Sequence, residues 1–231
     1  MRTEMSVAVN ERSTSWGGIP VEALAQATPT VFVVDDDVCL SETVEALIGD
    51  AGWRTETFGS ARDFLARRLS HEPSCLILDI DLPDLDGLEL QARVADERPD
   101  MPVIFVAGHS EVAQVVRAMK AGAADFLAKP LSEVALLSAV RGAIHRSEAA
   151  LLDEAQRRRL ADRYASLSRR EREVMSLVVA GRLNKQVGGD LGISEITVKA
   201  HRGRVMAKMQ ARSFARLVTM GRQLGLGPAD N

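Results

Sequence analysis

Residues 75–90 read CLILDIDLPDLDGLEL, an apolar run that ends on a carboxylate and breaks into an acidic loop punctuated by Pro83 and Gly87. Cys75 to Leu78 are too few for a helix and show no polar alternation, the pattern of a parallel strand buried on both faces. Asp79 then stands at the carboxyl end of the strand. In open α/β sheets that edge is where ligands bind and loops converge. Leu85, Leu88 and Leu90 begin a helix after the turn. Taken alone, the stretch describes any solvated strand-to-helix loop. What reaches the same edge from other strands decides the matter.

Three further apolar runs supply the comparison. Thr30 to Val34 runs into Asp35, Asp36 and Asp37, Pro102 to Val106 into Ala107-Gly108-His109-Ser110, and Phe126 to Ala128 into Lys129-Pro130. Adjacent carboxylates at a strand end repel one another and lose solvation, so a fold tolerates them best around a cation. A hard ion that takes oxygen ligands and keeps several waters, such as Mg²⁺, fits that demand. Carboxylates, one lysine and Mg²⁺ at a shared edge form a phosphoryl-transfer constellation.

From Thr30 to about Ser147 strand and helix patterns alternate, which implies a doubly wound parallel sheet in the five-strand, flavodoxin-like order. Leu40, Val44, Leu47 and Ile48 share a helical face that Gly52 ends, and Arg54 to Phe58 reads as an edge strand. Ser60 is placed to cap a helix with Phe64, Leu65 and Leu69 inward. Leu88 to Val94 and Glu111 to Ala121 supply two more helices, and Ser132 opens a fifth carried by Leu136, Leu137, Val140 and Ile144. Residues 147–166 lack Gly and Pro, so that helix is expected to continue as a linker. Arg157, Arg158 and Arg159 read as a solvated face, with phosphate contact as the alternative.

The net charge of -3 conceals two opposite modules. Residues 30–148 hold 11 Lys and Arg against 21 Asp and Glu, whereas residues 167–226 hold 12 against 4. A small basic domain suits a polyanion such as nucleic acid. Within it, Ser168 followed by Glu171 forms a capping-box signature, and Val174, Leu177 and Val178 run to a stop at Gly181. Asn184 to Leu191 is a second short helix, and Gly192-Ile193-Ser194 a tight turn into a third. That is a helix-turn-helix pattern. Val198, Val205 and Met209 share the inward face of the third helix, while Ile196, Lys199, Ala200, Gly203, Arg204 and Ala207 lie opposite. Small residues between cations let such a helix approach base edges.

The motifs VVDDD, LDIDLPDLDG and AMKAGAADFLAKP, in this order and spacing, resemble the receiver domain of two-component response regulators over about residues 29–146. By that resemblance Asp79 is the phosphoacceptor, Asp35 and Asp36 hold Mg²⁺ with Asp79, Asp81 offers its backbone carbonyl to the metal, and Lys129 pairs with the phosphoryl group. Phe126 occupies the position of a mobile aromatic, and Lys129-Pro130 that of a cis bond. One position departs from the pattern. Where receivers carry Thr or Ser at the end of the fourth strand, this chain has Ala107. A methyl cannot donate, so a hydrogen bond to a charged acceptor, worth about 1.5–3 kcal/mol, is missing from the phosphorylated state. Either the coupling to output is weakened, with Ser110 as a substitute donor, or the change is tolerated.

The segment from Leu167 to Leu226 resembles a LuxR-type helix-turn-helix, and a receiver followed by this module is the architecture of the NarL/FixJ class. The resemblance implies DNA contact at or near Lys185, Thr197, Lys199, Ala200, His201, Arg202, Gly203 and Arg204, with packing an equal alternative for His201. Gly188 and Gly189 depart from helix-favouring residues and are expected to weaken their helix by up to about 1 kcal/mol each. The last helix, Ser213 to Leu224, presents Phe214, Leu217, Val218 and Leu224 as a dimer face or as core.

The expected domains are therefore a mobile extension over residues 1–28, a receiver over 29–146, a helical linker over 147–166, the helix-turn-helix over 167–226 and a tail over 227–231. Residues 1–28 show no signal-peptide pattern and leave room for a short helix from Val21 to Ala27. No apolar run approaches the roughly 18 residues of a membrane span, so a cytoplasmic protein without a membrane partner is expected. Cys39 and Cys75 lack metal or disulfide spacing and read as small buried apolar groups. A non-enzymatic transcription regulator follows, with a sensor histidine kinase, double-stranded DNA and RNA polymerase as partners and a homodimer as the active form. Two alternatives stay open. One is a phosphorylation-independent DNA-binding regulator. The other is suggested by Asp79-Ile80-Asp81, which resembles the nucleophile and acid of Mg²⁺-dependent haloacid-dehalogenase-type phosphatases.

Overall fold

The computed structural model describes residues 27–68, 70–108 and 112–226. Leu69, Ser110 and nearly all of the Val21 to Ala27 segment lie outside the described residues. The chain divides into two compact units, one ending at Asp153 and one beginning at Glu154.

In the first unit five parallel strands, β1 (Thr30–Val34), β2 (Arg54–Phe58), β3 (Ser74–Asp79), β4 (Val103–Ala107) and β5 (Asp125–Ala128), lie in the order β2-β1-β3-β4-β5. Side chains alternate along a strand, so the continuous apolar runs of β1, β3 and β4 must bury both faces. One face gathers Phe32, Val34, Leu76, Leu78 and Phe105 with Phe64 and Leu90. The other gathers Val31, Val33, Cys75, Ile77, Ile104 and Val106 with Val44, Ile48, Leu136 and Val140. β2, at the sheet edge, stays partly exposed, as its polar residues require. The helices α1 (Val38–Asp50), α2 (Ala61–Ala66), α3 (Gly87–Glu97), α4 (Val112–Lys120) and α5 (Glu133–Ala165) complete the doubly wound pattern. α5 runs unbroken for 33 residues, the continuous helix expected of a stretch without Gly or Pro.

Cys75 is fully buried, which pushes its thiol up to about 12. Cys39 is exposed, contrary to expectation. The inward stripe of α1 is set by Leu40, Val44, Leu47 and Ile48, and Cys39 falls off that stripe in the first turn, where its N–H donates to the capping Asp37 carboxylate.

The second unit contains α6 (Arg169–Val179), α7 (Asn184–Leu191), α8 (Glu195–Lys208) and α9 (Phe214–Gln223). Ser168, Ser194 and Ser213 each cap the helix that follows, and the Ser168–Glu171 capping box is formed. Val174, Met175, Val178, Val187, Val198, Val205, Met209 and Leu217 build the core. Leu217 is fully buried and Leu224 packs against that core, so these two side chains of α9 serve as core. Phe214 remains partly exposed. Gly188 also corrects an expectation: a Cβ there would lie 2.7 Å from the Ile193 carbonyl, so glycine is what lets α7 close onto the turn before α8. Gly192 in that turn is left-handed at φ +65°.

Candidate functional site

Asp35 follows β1 directly and Asp79 ends β3, its neighbour in the sheet. The pairing of Val34 with Leu78 brings the two carboxylates to the same edge. Both are buried, while Asp36 is exposed, and one oxygen from each of the three lies within 4.8 Å of the others. Lys129, beyond the end of β5, places Nζ 2.8 Å from Asp35 Oδ2 and 2.6 Å from Asp79 Oδ2. The remaining oxygens are also engaged. Asp35 Oδ1 accepts from the Asp37 N–H at 2.8 Å, and Asp79 Oδ1 from the Asp81 N–H at 3.0 Å. Burial raises the Asp35 carboxyl above its ordinary value, despite the hydrogen bond from Lys129. Burial alone would lower the Lys129 ammonium, but its two carboxylate partners outweigh that and hold it above the usual lysine value.

Three carboxylates face one ammonium, so the cluster carries an excess of negative charge and offers only oxygen. That donor set fits a hard divalent cation such as Mg²⁺. Other acidic residues nearby serve the backbone. Asp37 accepts from the N–H groups of Cys39 and Leu40, Asp86 from that of Leu88, and Asp84 from those of Ala61 and Arg62. The loop they cap is tight: a Cβ at Gly87 would stand 3.0 Å from the Asp79 carbonyl. Gly87 thus lets α3 start directly behind the phosphoacceptor candidate.

Ala107 ends β4 with its methyl in the core, and its carbonyl accepts from the Lys129 N–H at 2.8 Å. Phe126 is half-buried and stacks on Phe105 with ring centroids 6.4 Å apart. Lys129-Pro130 is cis, as the resemblance implied.

In the helical unit, Lys185 on α7 and Lys199, Ala200, Gly203 and Arg204 on α8 are exposed. Thr197 is half-buried, its N–H donating to Ser194 Oγ. Lys199 Nζ lies 3.3 Å from the Glu195 carboxylate. His201 sits on the flank, its Nδ1 3.0 Å from the Arg204 guanidinium. Arg202 turns inward: it donates to Asn184 Oδ1 at 2.6 Å and lies over the Phe214 ring at 5.0 Å. Arg204 also reaches the buried Glu171 at 3.4 Å, and Lys208 reaches it at 2.7 Å. Lys208, together with the Ser168 N–H, pulls the Glu171 carboxyl down to about 2. Asn184, Phe214 and Glu171 are partners that a reading by helical periodicity misses, because they come from three other helices.

Two family matches cover the two units. Residues 31–141 match the response regulator receiver domain, and residues 165–221 match the bacterial regulatory proteins of the luxR family. Nodulation protein W of Bradyrhizobium diazoefficiens is 43% identical over 91% of this chain and 93% of its own. The transcriptional regulatory protein FixJ of Rhizobium meliloti is 38% identical over 87% of this chain and 98% of its own. Among solved structures, the response regulator StyR superposes with a TM-score of 0.78 at 40% identity, covering 85% of this chain and all of that one. The chain belongs to the response regulators of the NarL/FixJ class, with an N-terminal receiver and a C-terminal LuxR-type helix-turn-helix. It is a transcriptional response regulator by that membership, and the phosphatase alternative loses its ground. Among the described residues no helix is long and apolar enough to cross a membrane.

Proposed function

We propose that a sensor histidine kinase phosphorylates Asp79 and that this controls DNA binding by the helical unit. The observation that carries the reading is the pair of buried carboxylates, Asp35 and Asp79, held by one ammonium at the sheet edge. Asp79 presents a carboxylate oxygen as nucleophile; the new O–P bond forms as the P–N bond of the phosphohistidine breaks, and the imidazole leaves with that electron pair. Lys129 already touches Asp79 and keeps an ammonium beside the transferred group, where charge develops on its oxygens. Asp35, Asp36, Asp79 and the Asp81 carbonyl would hold Mg²⁺, which would supply further neutralisation of the phosphoryl charge. No other reaction is assigned: the receiver catalyses only its own phosphotransfer and dephosphorylation. The domain limits proposed are 29–146 for the receiver, 147–166 for the linker and 167–226 for the DNA-binding module.

The DNA-facing surface in this reading is α8 with Lys185 of α7, and homodimers occupy paired half-sites about one helical turn or a multiple apart. RNA polymerase is the further partner and the cytoplasm the expected compartment. A small-molecule phosphodonor with Mg²⁺ should modify the wild type, detected by mass, and leave Asp79→Asn unmodified. Modification of Asp79→Asn to the same extent would remove Asp79 from the role.

The buried methyl of Ala107 favours a second reading, in which phosphorylation occurs but moves the output weakly. DNA affinity measured at one salt concentration, with and without phosphodonor, separates the two. A gain seen only in Ala107→Thr supports weak coupling, and equal gains in both proteins support the ordinary switch.

A further inference from the structure

We propose that the exposed face of α8 reads thymine methyl groups in the major groove through Ile196 and Ala200, without an arginine–guanine pair. The inference rests on the DNA-binding reading above and adds the class of base that is read.

A single exposed isoleucine is ordinary, and Ile196, 79% exposed, would carry nothing alone. The fate of the polar groups around it carries the argument. Guanine is read bidentately by Arg or Lys, and adenine by Asn or Gln. α8 contains no Asn or Gln. Its two arginines lean onto the unit: Arg202 onto Asn184 and the Phe214 ring, and Arg204, its side chain still 56% exposed, toward Glu171 and His201. The hydroxyls of Ser194 and Thr197 lie 2.8 Å apart and share one hydrogen bond at the helix cap, which holds both side chains there. Lys199, the other long cation on that face, has Glu195 beside it.

Between the exposed Lys199 and Arg204, what the face offers to a base edge is apolar or small: Ile196, Ala200, Gly203 and Ala207, all exposed. A Cβ at Gly203 would meet nothing within 4 Å, so the surface there is open to close approach. The thymine C5 methyl is the apolar group that B-DNA displays in the major groove. Ile196 and Ala200 stand four residues apart, one above the other on the helix. That spacing suits contact with methyls of neighbouring base pairs.

The test selects duplexes from a randomised pool with the full chain, then remakes the selected site with deoxyuridine for thymidine at one position at a time. The change deletes a methyl and leaves every hydrogen-bonding group. At fixed salt, wild type should lose about fourfold in affinity at a contacted position, the equivalent of one buried carbon. Ile196→Ser, at an exposed position and checked for folding by circular dichroism, should be insensitive at that same position. Two results would overturn the proposal while leaving DNA binding intact: a specific site at which no uracil substitution matters, or a guanine preference that Arg202→Lys or Arg204→Lys relaxes. Absence of any salt-dependent duplex binding would remove the DNA-binding reading itself, and the proposal with it.

Discussion

Two buried clusters of charge in this chain are built on opposite plans. At the sheet edge, two buried carboxylates, with the exposed Asp36 beside them, share the ammonium of Lys129, and Asp35 is held above its ordinary value by burial. In the helical unit, one buried carboxylate, Glu171, has both Lys208 and Arg204 beside it and sits at about 2. The first cluster is short of positive charge and the second has a surplus. A cluster short of charge is finished by something it binds, whereas a cluster with its charge met is finished by the fold. The difference separates a site from a strut, although both appear in the sequence merely as acidic residues among helices and strands.

The largest effect is expected at Asp79, the proposed phosphoacceptor. Asp79→Asn should abolish hydroxylamine-labile phosphate incorporation outright while the receiver keeps its thermal transition; incorporation at another residue would mean the wrong carboxylate has been chosen. Lys129→Met comes next. Removing the ammonium should slow phosphotransfer and yet tighten Mg²⁺ binding, on the order of fivefold, the least a unit charge at contact range contributes in water. Titration calorimetry of the two proteins would check it, and weaker Mg²⁺ binding in the variant would deny that the cluster lacks positive charge.

Glu171 should respond in stability rather than in chemistry. Glu171→Ala removes a capping-box partner and two ion pairs whose cations are partly exposed, a loss of about 1–2 kcal/mol in denaturant unfolding. Its pH dependence has a definite sign. Glu171 is depressed from 4.5 to about 2, so its contribution is present above 4.5 and is lost as pH falls toward 2. Glu171→Gln should keep the cap and flatten the unfolding profile in that window; an unchanged profile would mean the ion pairs do not act. The smallest effect concerns the frame that holds the basic face. At Gly189 a Cβ meets nothing within 4 Å, so Gly189→Ala should stabilise α7 by about 0.5–1 kcal/mol. Gly188→Ala should destabilise instead, because its Cβ would press on the Ile193 carbonyl.

Those neighbouring glycines show where sequence reading stops. By propensity the two are equal, and both read as weak points of α7. Only one is. The close approach of the turn after α7 makes Gly188 necessary, and closeness between segments carries no local signal. The same holds for Arg202, grouped with the DNA contacts by its position beside His201. Its side chain instead bridges Asn184 and Phe214, from helices on either side of α8 in the chain. Cys39 follows suit, exposed because it falls off the inward stripe of α1.

The sequence by itself determined the four apolar strand runs and the polar edge strand, the helices between them, the serine caps, the break in charge between the two modules, and the strand-end positions of Asp35, Asp79 and Lys129. These are local or periodic properties: a strand long enough to bury both faces, a cap beside the turn it closes, a carboxylate at the end of an apolar run. Tertiary structure alone decided which charges are left short of partners. Compensation depends on distances between elements far apart in the chain, such as Lys129 to Asp35 and Lys208 to Glu171, and only packing brings those groups together.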